Sequence, residues 1–506
     1  MCVKASFNLL TQPWIPVIDL NGTAQEVGLL EALERAHTYR GVRDISPMVE
    51  YSVYRFLIVV LMDMFRPEDS DALDELLDEG CFDPDIIRDY VRTCEREGVR
   101  FDLFDPERPF LQTTYQKDWD REPKSVTVLD YTIPNGNNHI HFDHKRGYAA
   151  YAPGKALRMM LAAQIFCTAA AQGYPSNVNG APPWFTLIQG QNLFQTLVFS
   201  MLGGDRIKLP LDRPPVLWRN LDEVTPKQKV AKTSWLLGML FPARRIHLIP
   251  SEDGHCIASV YFSQGMNYAV TDSWEDPHVT YHITPKGRFN WKPSSDETIW
   301  RNLTDLIDTA GKRAPQIVAQ YEDLDHSDRF LSLTLYGVET NQASYIKAQR
   351  HDLQIPKKII GNETALRFIT GYIAQAERLG RALYKSLNHE EITEESRLQA
   401  RQRYYASCER LLWDQFEAMT APAFDSESSL QAAVRQQCQE AAKSADWILA
   451  QLLLRGKTML QAMNNQQKIL GKEIAAIKKE MKILPKWIGT DFLCGWMLCP
   501  RAAASP

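Results

Sequence analysis

The sequence predicts a mixed α+β body followed by a C-terminal four-helix bundle, an α+β chain of two domains. Three observations lead there. At 506 residues the chain is too long for one small core. Up to about residue 355, short β-rich runs broken by Pro and Gly ("TQPWIPVIDLNG", "PPVLWRN", "FPARRIHLIPSEDG", "ITPKGRFNWKP") alternate with helical stretches. After Pro356 the β character fades, and apolar residues recur at helical spacing, as in Leu366, Ile369, Ile373, Ala376, Leu379 and Leu383. The expected domains are therefore residues 1–355 and 356–506.

The first domain predicts helices over Leu29–Arg40, Val49–Phe65 and Asp85–Glu97. Their start signals are Glu26, Ser46-Pro47 and Asp83-Pro84. Near its end a β-like run, Phe330–Tyr336, leads to the amide pair Asn341-Gln342 and then to a basic stretch, Lys347–His351. The second domain predicts helices at about 362–388, 393–418, 427–454 and 457–484. Breaks fall at Asn388-His389, between Thr420 and Asp425, and at Gly456, and Pro485 closes the last helix. Four such helices with short connections form an antiparallel bundle by default.

Composition excludes several classes. Hydrophobic content of 44% and aromatic content of 10% supply enough burial to rule out wholesale disorder. No signal peptide is expected, and the strongest apolar run, Phe56–Met62, is far shorter than a membrane span. Nine cysteines with no CxxC pair fit reduced thiols in a cytoplasmic protein. The formal net charge of −5 means that any nucleic-acid contact must come from local basic patches.

Catalytic signatures are scarce: the chain has no Walker A, GxSxG or HExxH pattern, and no Glu-x-x-His in the bundle for a metal pair. One cluster carries metal-ligating residue types, "NGNNHIHFDHKRG" at 135–147, with His139, His141, Asp143 and His144. His139 and His141 would share a face of an extended strand, but His144 has the opposite parity. Three readings of this loop stay open: a metal-dependent hydrolase site, a nucleic-acid or partner-binding loop, and a purely structural loop. The bundle carries Arg397 and Arg401 on its second helix, and Lys468, Lys472, Lys478, Lys479 and Lys482 on its last. These make either a solvated face or a track for a phosphate backbone. Asn341-Gln342 reads on its own as an ordinary turn amide pair.

Five stretches, in order, resemble the CasA family, the large subunits of type I-E CRISPR Cascade complexes. They are "FNLLTQPWIPV" (7–17), "FDLFDPERPFLQT" (101–113), "NNHIHFDHKRGYAAYAPGKALRMMLAAQIF" (137–166), "APPWFTLIQGQNLFQTL" (181–197) and "YGVETNQASYIKAQRHD" (336–352). The resemblance implies a non-catalytic subunit without cofactor or metal that reads a protospacer-adjacent motif in double-stranded DNA. It then wedges the duplex open so that guide RNA can pair with one strand. Gln342 falls on the family's wedge, with Asn341 beside it. The implied partners are the 5′ handle of the CRISPR RNA, target DNA, the backbone, handle-binding and small subunits, and a helicase–nuclease recruited later. The loop holding Asn138, His139, Phe142, His144, Lys145 and Arg146 would face the guide RNA or the backbone subunits. The basic bundle surface would guide a DNA strand.

Two departures bear on the motif read. Where the family has a glycine-rich loop, "AQGYPSNVNGAPP" (171–183) keeps only Gly173 and Gly180, with Asn177 and Asn179 between them. Asn tolerates similar dihedrals, and its amide could donate to minor-groove acceptors. The basic residue that helps reading in some relatives is missing from "FSQGMNY" (262–268). A DNA-binding scaffold in a related guided complex, such as one linked to transposition, is an equally compatible assignment.

Overall fold

The computed structural model describes residues 5–114, 122–131, 133, 150–169, 173–207, 216–221, 229–230, 233–268, 274–294, 298–341, 344–452 and 456–483. The chain is mixed α+β and ends in a helical bundle. It forms two compact units, residues 1–298 with 305–361, and residues 299–304 with 362–506. The division falls at 361/362 rather than at 355/356, because the chain after Pro356 stays bonded to the first unit. The Lys357 N–H donates to Arg329 O (2.9 Å), and the Gly361 N–H donates to Ile307 O (3.0 Å).

The first unit is organised around the helix Pro47–Phe65. Pro47 fits its first turn, where the missing N–H costs nothing. Nearly every residue on it is buried, so the helix is apolar on all sides and runs through the core. Its buried polar residues are each matched. Glu50 accepts from Tyr336 Oη (2.7 Å), Arg55 meets Asp276 (2.7 Å), and Asp63 accepts from Tyr90 Oη (2.6 Å) and Arg219 Nη1 (2.7 Å). Two of the stretches singled out by sequence pack together beside this helix. The Leu9 N–H donates to Phe101 O, and the Leu103 N–H donates to Phe7 O (2.9 Å each). Trp14 is fully buried edge-on to Phe56, with ring centroids 5.6 Å apart.

The first expected helix begins at Leu29 as read, but its start signal and its end differ from expectation. Glu26 is not a helix start; it sits in the strand Ala24–Val27, paired with Pro16, and reaches Arg158 at 2.9 Å. Gly28 caps the helix instead, since a Cβ there would stand 2.5 Å from Leu10 O. That helix ends at Glu34 rather than Arg40, because Tyr39–Val42 joins the sheet beside Ile15–Asp19. The helices Pro47–Phe65 and Pro84–Arg96 lie where the start signals place them, the latter with Asp83 capping the Asp85 N–H (2.8 Å).

The second unit contains the helices Glu363–Ser386, Glu394–Trp413 and Ser426–Gln451, and a fourth, interrupted one. Asn362, Thr393 and Asp425 accept from backbone N–H groups of the next turn and so begin the first three. Buried hydrogen bonds tie the bundle, from Tyr372 Oη to Cys408 O (2.7 Å) and from Gln437 Nε2 to Tyr372 O (3.0 Å). The fourth helix runs Gly456–Gln466, widens to a π turn over Gln467–Gly471, and resumes over Lys472–Glu480. Among the described residues no helix is long and apolar enough to cross a membrane.

Candidate nucleic-acid interface

The longest β element of the first unit is a hairpin of strands Phe330–Asn341 and Ser344–Pro356, in antiparallel register from Phe330↔Pro356 to Asn341↔Ser344. Its first strand also pairs with Phe185–Ile188, which makes it the centre of a three-stranded sheet. Apolar residues bury the base: Leu331, Leu333, Leu335, Tyr336 and Val338 are all in the core. Tyr336 bonds Glu50, and Gly337 lies under Trp184, where a Cβ would stand 2.4 Å from Cε3. The far end is different. Asn341 and Lys347 are exposed. Gln342 and Ala343, which join the strands in sequence, lie outside the described residues.

Near that end the register slips. Glu339 pairs with Lys347 but Thr340 pairs with Tyr345, leaving Ile346 as a bulge, 56% exposed. A bulge bends its strand and re-aims the neighbouring side chains. Here Tyr345 stacks on Tyr131, centroids 4.5 Å apart at 13°, and donates to Phe166 O (2.8 Å). The expected basic stretch is less free than its composition suggests. Arg350 donates to Asp352 (3.0 Å) and lies 3.5 Å from buried Glu50, while His351 sits edge-on to Trp184 at 5.5 Å. Burial and the Lys347 charge lower the His351 pKa, which favours the neutral ring.

The second candidate element is the loop at 171–183, described from Gly173 onward. Gly173 and Gly180 take φ of +77° and +74°, the left-handed region that favours glycine, and Gly180 faces open space. The asparagine amides are already engaged. Asn177 is 5% exposed and donates to Gln164 O (2.9 Å); Asn179 donates to Asp276 Oδ2 (2.7 Å). Asn177 O accepts from the Gly180 N–H (2.9 Å), closing a tight turn. Buried Arg244 ties the loop down from below, donating to Pro175 O (2.5 Å) and Thr168 O (2.8 Å). The turn is thus held by its asparagines rather than decorated with free amides.

The stretch 262–268 holds no Lys or Arg, yet the fold brings a cation there. Lys124 pairs with Val260 across a sheet, and its Nζ lies 5.3 Å from the Phe262 ring centroid and 3.3 Å from Tyr174 Oη. Nothing local announces this residue; only the pairing of two distant short strands places it.

In the second unit the expected basic surface divides in two. On the last helix Lys468, Lys472 and Lys479 are exposed and Lys478 is partly so; Lys482, expected on that helix, is exposed just past its end at Glu480, and none of the five forms an ion pair among the described residues. The two acids of that helix, Glu473 and Glu480, are both taken by Arg378. Arg397 and Arg401 instead lie over the Tyr384 ring (4.8 and 5.1 Å), and Arg397 donates to Asn388 Oδ1 (2.9 Å). Lys468 also lines a polar cleft with Asn388, His389, Glu391, Gln461 and Asn464.

The family model for CRISPR-associated protein Cse1 matches residues 8–445. The chain belongs to the Cse1 family. It is 28% identical over 404 residues to CRISPR-associated protein CasA/Cse1 of Thermus thermophilus, covering 74% of this chain and 76% of that one. The fold agrees with solved Cse1 structures. Thermus thermophilus CasA (Cse1) superposes with a TM-score of 0.74 at 23% identity, covering 94% of this chain and 100% of that one. Thermobifida fusca Cse1 gives 0.75 at 21% identity, covering 94% and 98%. A chain of a structure named "CRISPR RNA-guided surveillance complex" gives 0.75 at 18% identity, covering 93% and 99%.

Asn138, His139, His141, Phe142, His144, Lys145 and Arg146 lie outside the described residues. Among the described residues no group of three His, Cys, Asp or Glu is arranged to hold a metal ion.

Proposed function

We propose that this chain is the non-catalytic large subunit of a CRISPR RNA-guided surveillance complex, where it reads a protospacer-adjacent motif in double-stranded DNA and opens the adjoining base pairs. Support for the subunit role comes from membership in the Cse1 family, whose fold also occurs in a chain of a surveillance complex. The observation that carries the wedge reading is the hairpin 330–356: a deeply buried base, a polar exposed end at Asn341, and Gln342 next in sequence. A neutral amide entering a base stack avoids the desolvation cost of a charge. Unstacking one step costs a few kcal/mol, which phosphate contacts and the growing RNA–DNA heteroduplex offset.

In this reading the motif is met by the loop at 173–180. Its two positive-φ glycines let backbone approach the groove floor, and Lys124 supplies the nearby cation. The basic bundle surface holds a DNA strand without reading it. The loop at 135–147 contacts guide RNA or the backbone subunits, and a helicase–nuclease recruited in trans cuts the target.

The test is Gln342→Ala in the assembled guide complex. Capture of intact duplex targets should fall by about tenfold or more, as expected for losing part of an unstacking step. Capture of targets already melted at the motif should be unchanged. Equal losses on both substrates would refute the wedge.

A further inference from the structure

We propose that Tyr345 is a positioning residue: its stack on Tyr131 and its hydrogen bond to Phe166 form a latch that fixes the working end of the hairpin and ties it to the motif-facing loop. The proposal rests on the wedge reading and adds to it what backs the wedge. The argument begins with the bulge. Past Glu339↔Lys347 the ladder skips Ile346, so Ile346 faces solvent while the next residue, Tyr345, turns inward. Two strands alone are marginal in water, and the last apolar core residue of the first strand, Val338, lies three residues before Asn341.

Tyr345 supplies the missing anchor one residue after the Asn341↔Ser344 pair. Its ring lies flat on Tyr131, 4.5 Å between centroids, and Tyr131 is itself held by donating to Ala163 O (2.9 Å). The Tyr345 hydroxyl donates to Phe166 O, at the C-terminal end of the helix Pro153–Ile165. The same chain segment continues directly into the candidate motif loop. Cys167 O accepts from the Asn177 N–H (3.3 Å), and Thr168 O accepts from buried Arg244. Hairpin end and motif loop therefore share one short piece of backbone, 166–168. A displacement of the loop on meeting DNA would act on the hairpin through the Tyr345 hydroxyl.

The decisive variant is Tyr345→Phe, which keeps the ring stack and removes the hydroxyl that donates to Phe166. Intact-duplex capture by the assembled complex should drop roughly three- to tenfold, the range for losing one neutral hydrogen bond. Capture of pre-melted targets should stay unchanged. Combined with Gln342→Ala, the loss should be less than the product of the two, because both act on the same step. In the free subunit, amide hydrogen exchange over 340–347 should speed up. Equal losses on both substrates, multiplicative losses in the double variant, or unchanged exchange would each overturn the latch. If Gln342→Ala reduces duplex capture and Tyr345→Phe does not, the latch alone fails; if Gln342→Ala itself has no effect, the wedge reading fails first. Should Tyr345→Phe assemble poorly, Tyr131→Phe, which frees the stack partner from Ala163, must reproduce the selective loss or the proposal falls.

Discussion

Replacing Asp276 with Asn would test how the core positions the loop at 173–180. Asp276 and Arg55 have side chains only 0% and 1% exposed and meet through two parallel hydrogen bonds, Nη2–Oδ2 at 2.7 Å and Nη1–Oδ1 at 3.1 Å. Burial alone would raise the Asp276 pKa, but the Arg55 guanidinium outweighs it and holds the carboxyl below its usual value. Oδ2 also accepts from Asn179 and Oδ1 from the His278 N–H (3.1 Å), so each oxygen faces two donors. An amide removes the charge and turns an NH2 toward one of these donors, while Arg55 stays buried and charged. Breaking such a pair costs about 3–5 kcal/mol. With an unfolding entropy of about 2.1 cal/mol/K per residue, that lowers the melting temperature of the first unit by about 4–7 °C. Denaturant unfolding followed by tryptophan fluorescence reads the loss. Removing both charges with Arg55→Met and Asp276→Leu should cost less than the sum of the two single changes. Additive costs would refute the coupling, and so would unchanged hydrogen exchange across 177–180 in Asp276→Asn.

The remaining predictions concern the bundle, acid stability and the hairpin base. Changing Lys468, Lys472, Lys479 and Lys482 to Gln should weaken binding alike for all sequences and lower the salt slope by about 0.7–0.9 for each phosphate no longer neutralised; a changed motif preference would contradict this. Burial holds His278 neutral, with its pKa lowered from 6.5 to about 4. Because the unfolded chain takes up that proton first, this contribution is whole above pH 6.5 and is lost as pH falls toward about 4; His278→Gln should flatten the dependence in that window, and an unchanged profile would refute it. Gly337→Ala places a Cβ 2.4 Å from Trp184 and 2.6 Å from Pro293, so it should cost about 1–3 kcal/mol by overpacking. Unfolding midpoints equal to the parent's would show that the ring moves aside freely.

How much of this was legible in the sequence depends on how far apart the interacting residues lie. The bundle was readable because its signals are local: apolar spacing, and caps at Asn362, Thr393 and Asp425 immediately before each helix. The β-like run Phe330–Tyr336 was readable for the same reason. The Ile346 bulge was not, since one skipped pairing leaves no mark on a strand's composition. The loop asparagines misled because a free amide and one bonded to Asp276, 97 residues away, look identical in sequence. Arg350 belonged to a basic stretch until the fold set it beside Glu50, and Lys124 was invisible until its strand met Val260. Tertiary pairing also ended the helix expected to run to Arg40, by drawing Tyr39 into a sheet.

The placement of these anchors has a mechanical logic. Opening a base-paired step costs a few kcal/mol, comparable to what a free two-stranded hairpin can lose by fraying. A wedge on such an element would yield before the duplex did. In this chain the hairpin is braced in two places. Tyr336, Glu50 and the Trp184–Gly337 packing fix the base within the core, and the bonds of Tyr345 to Tyr131 and Phe166 fix the returning strand just past the connection. On the first strand the exposed Asn341 lies beyond both. If the hairpin is a wedge, that division would let its polar end change without altering the apolar base that keeps it stiff.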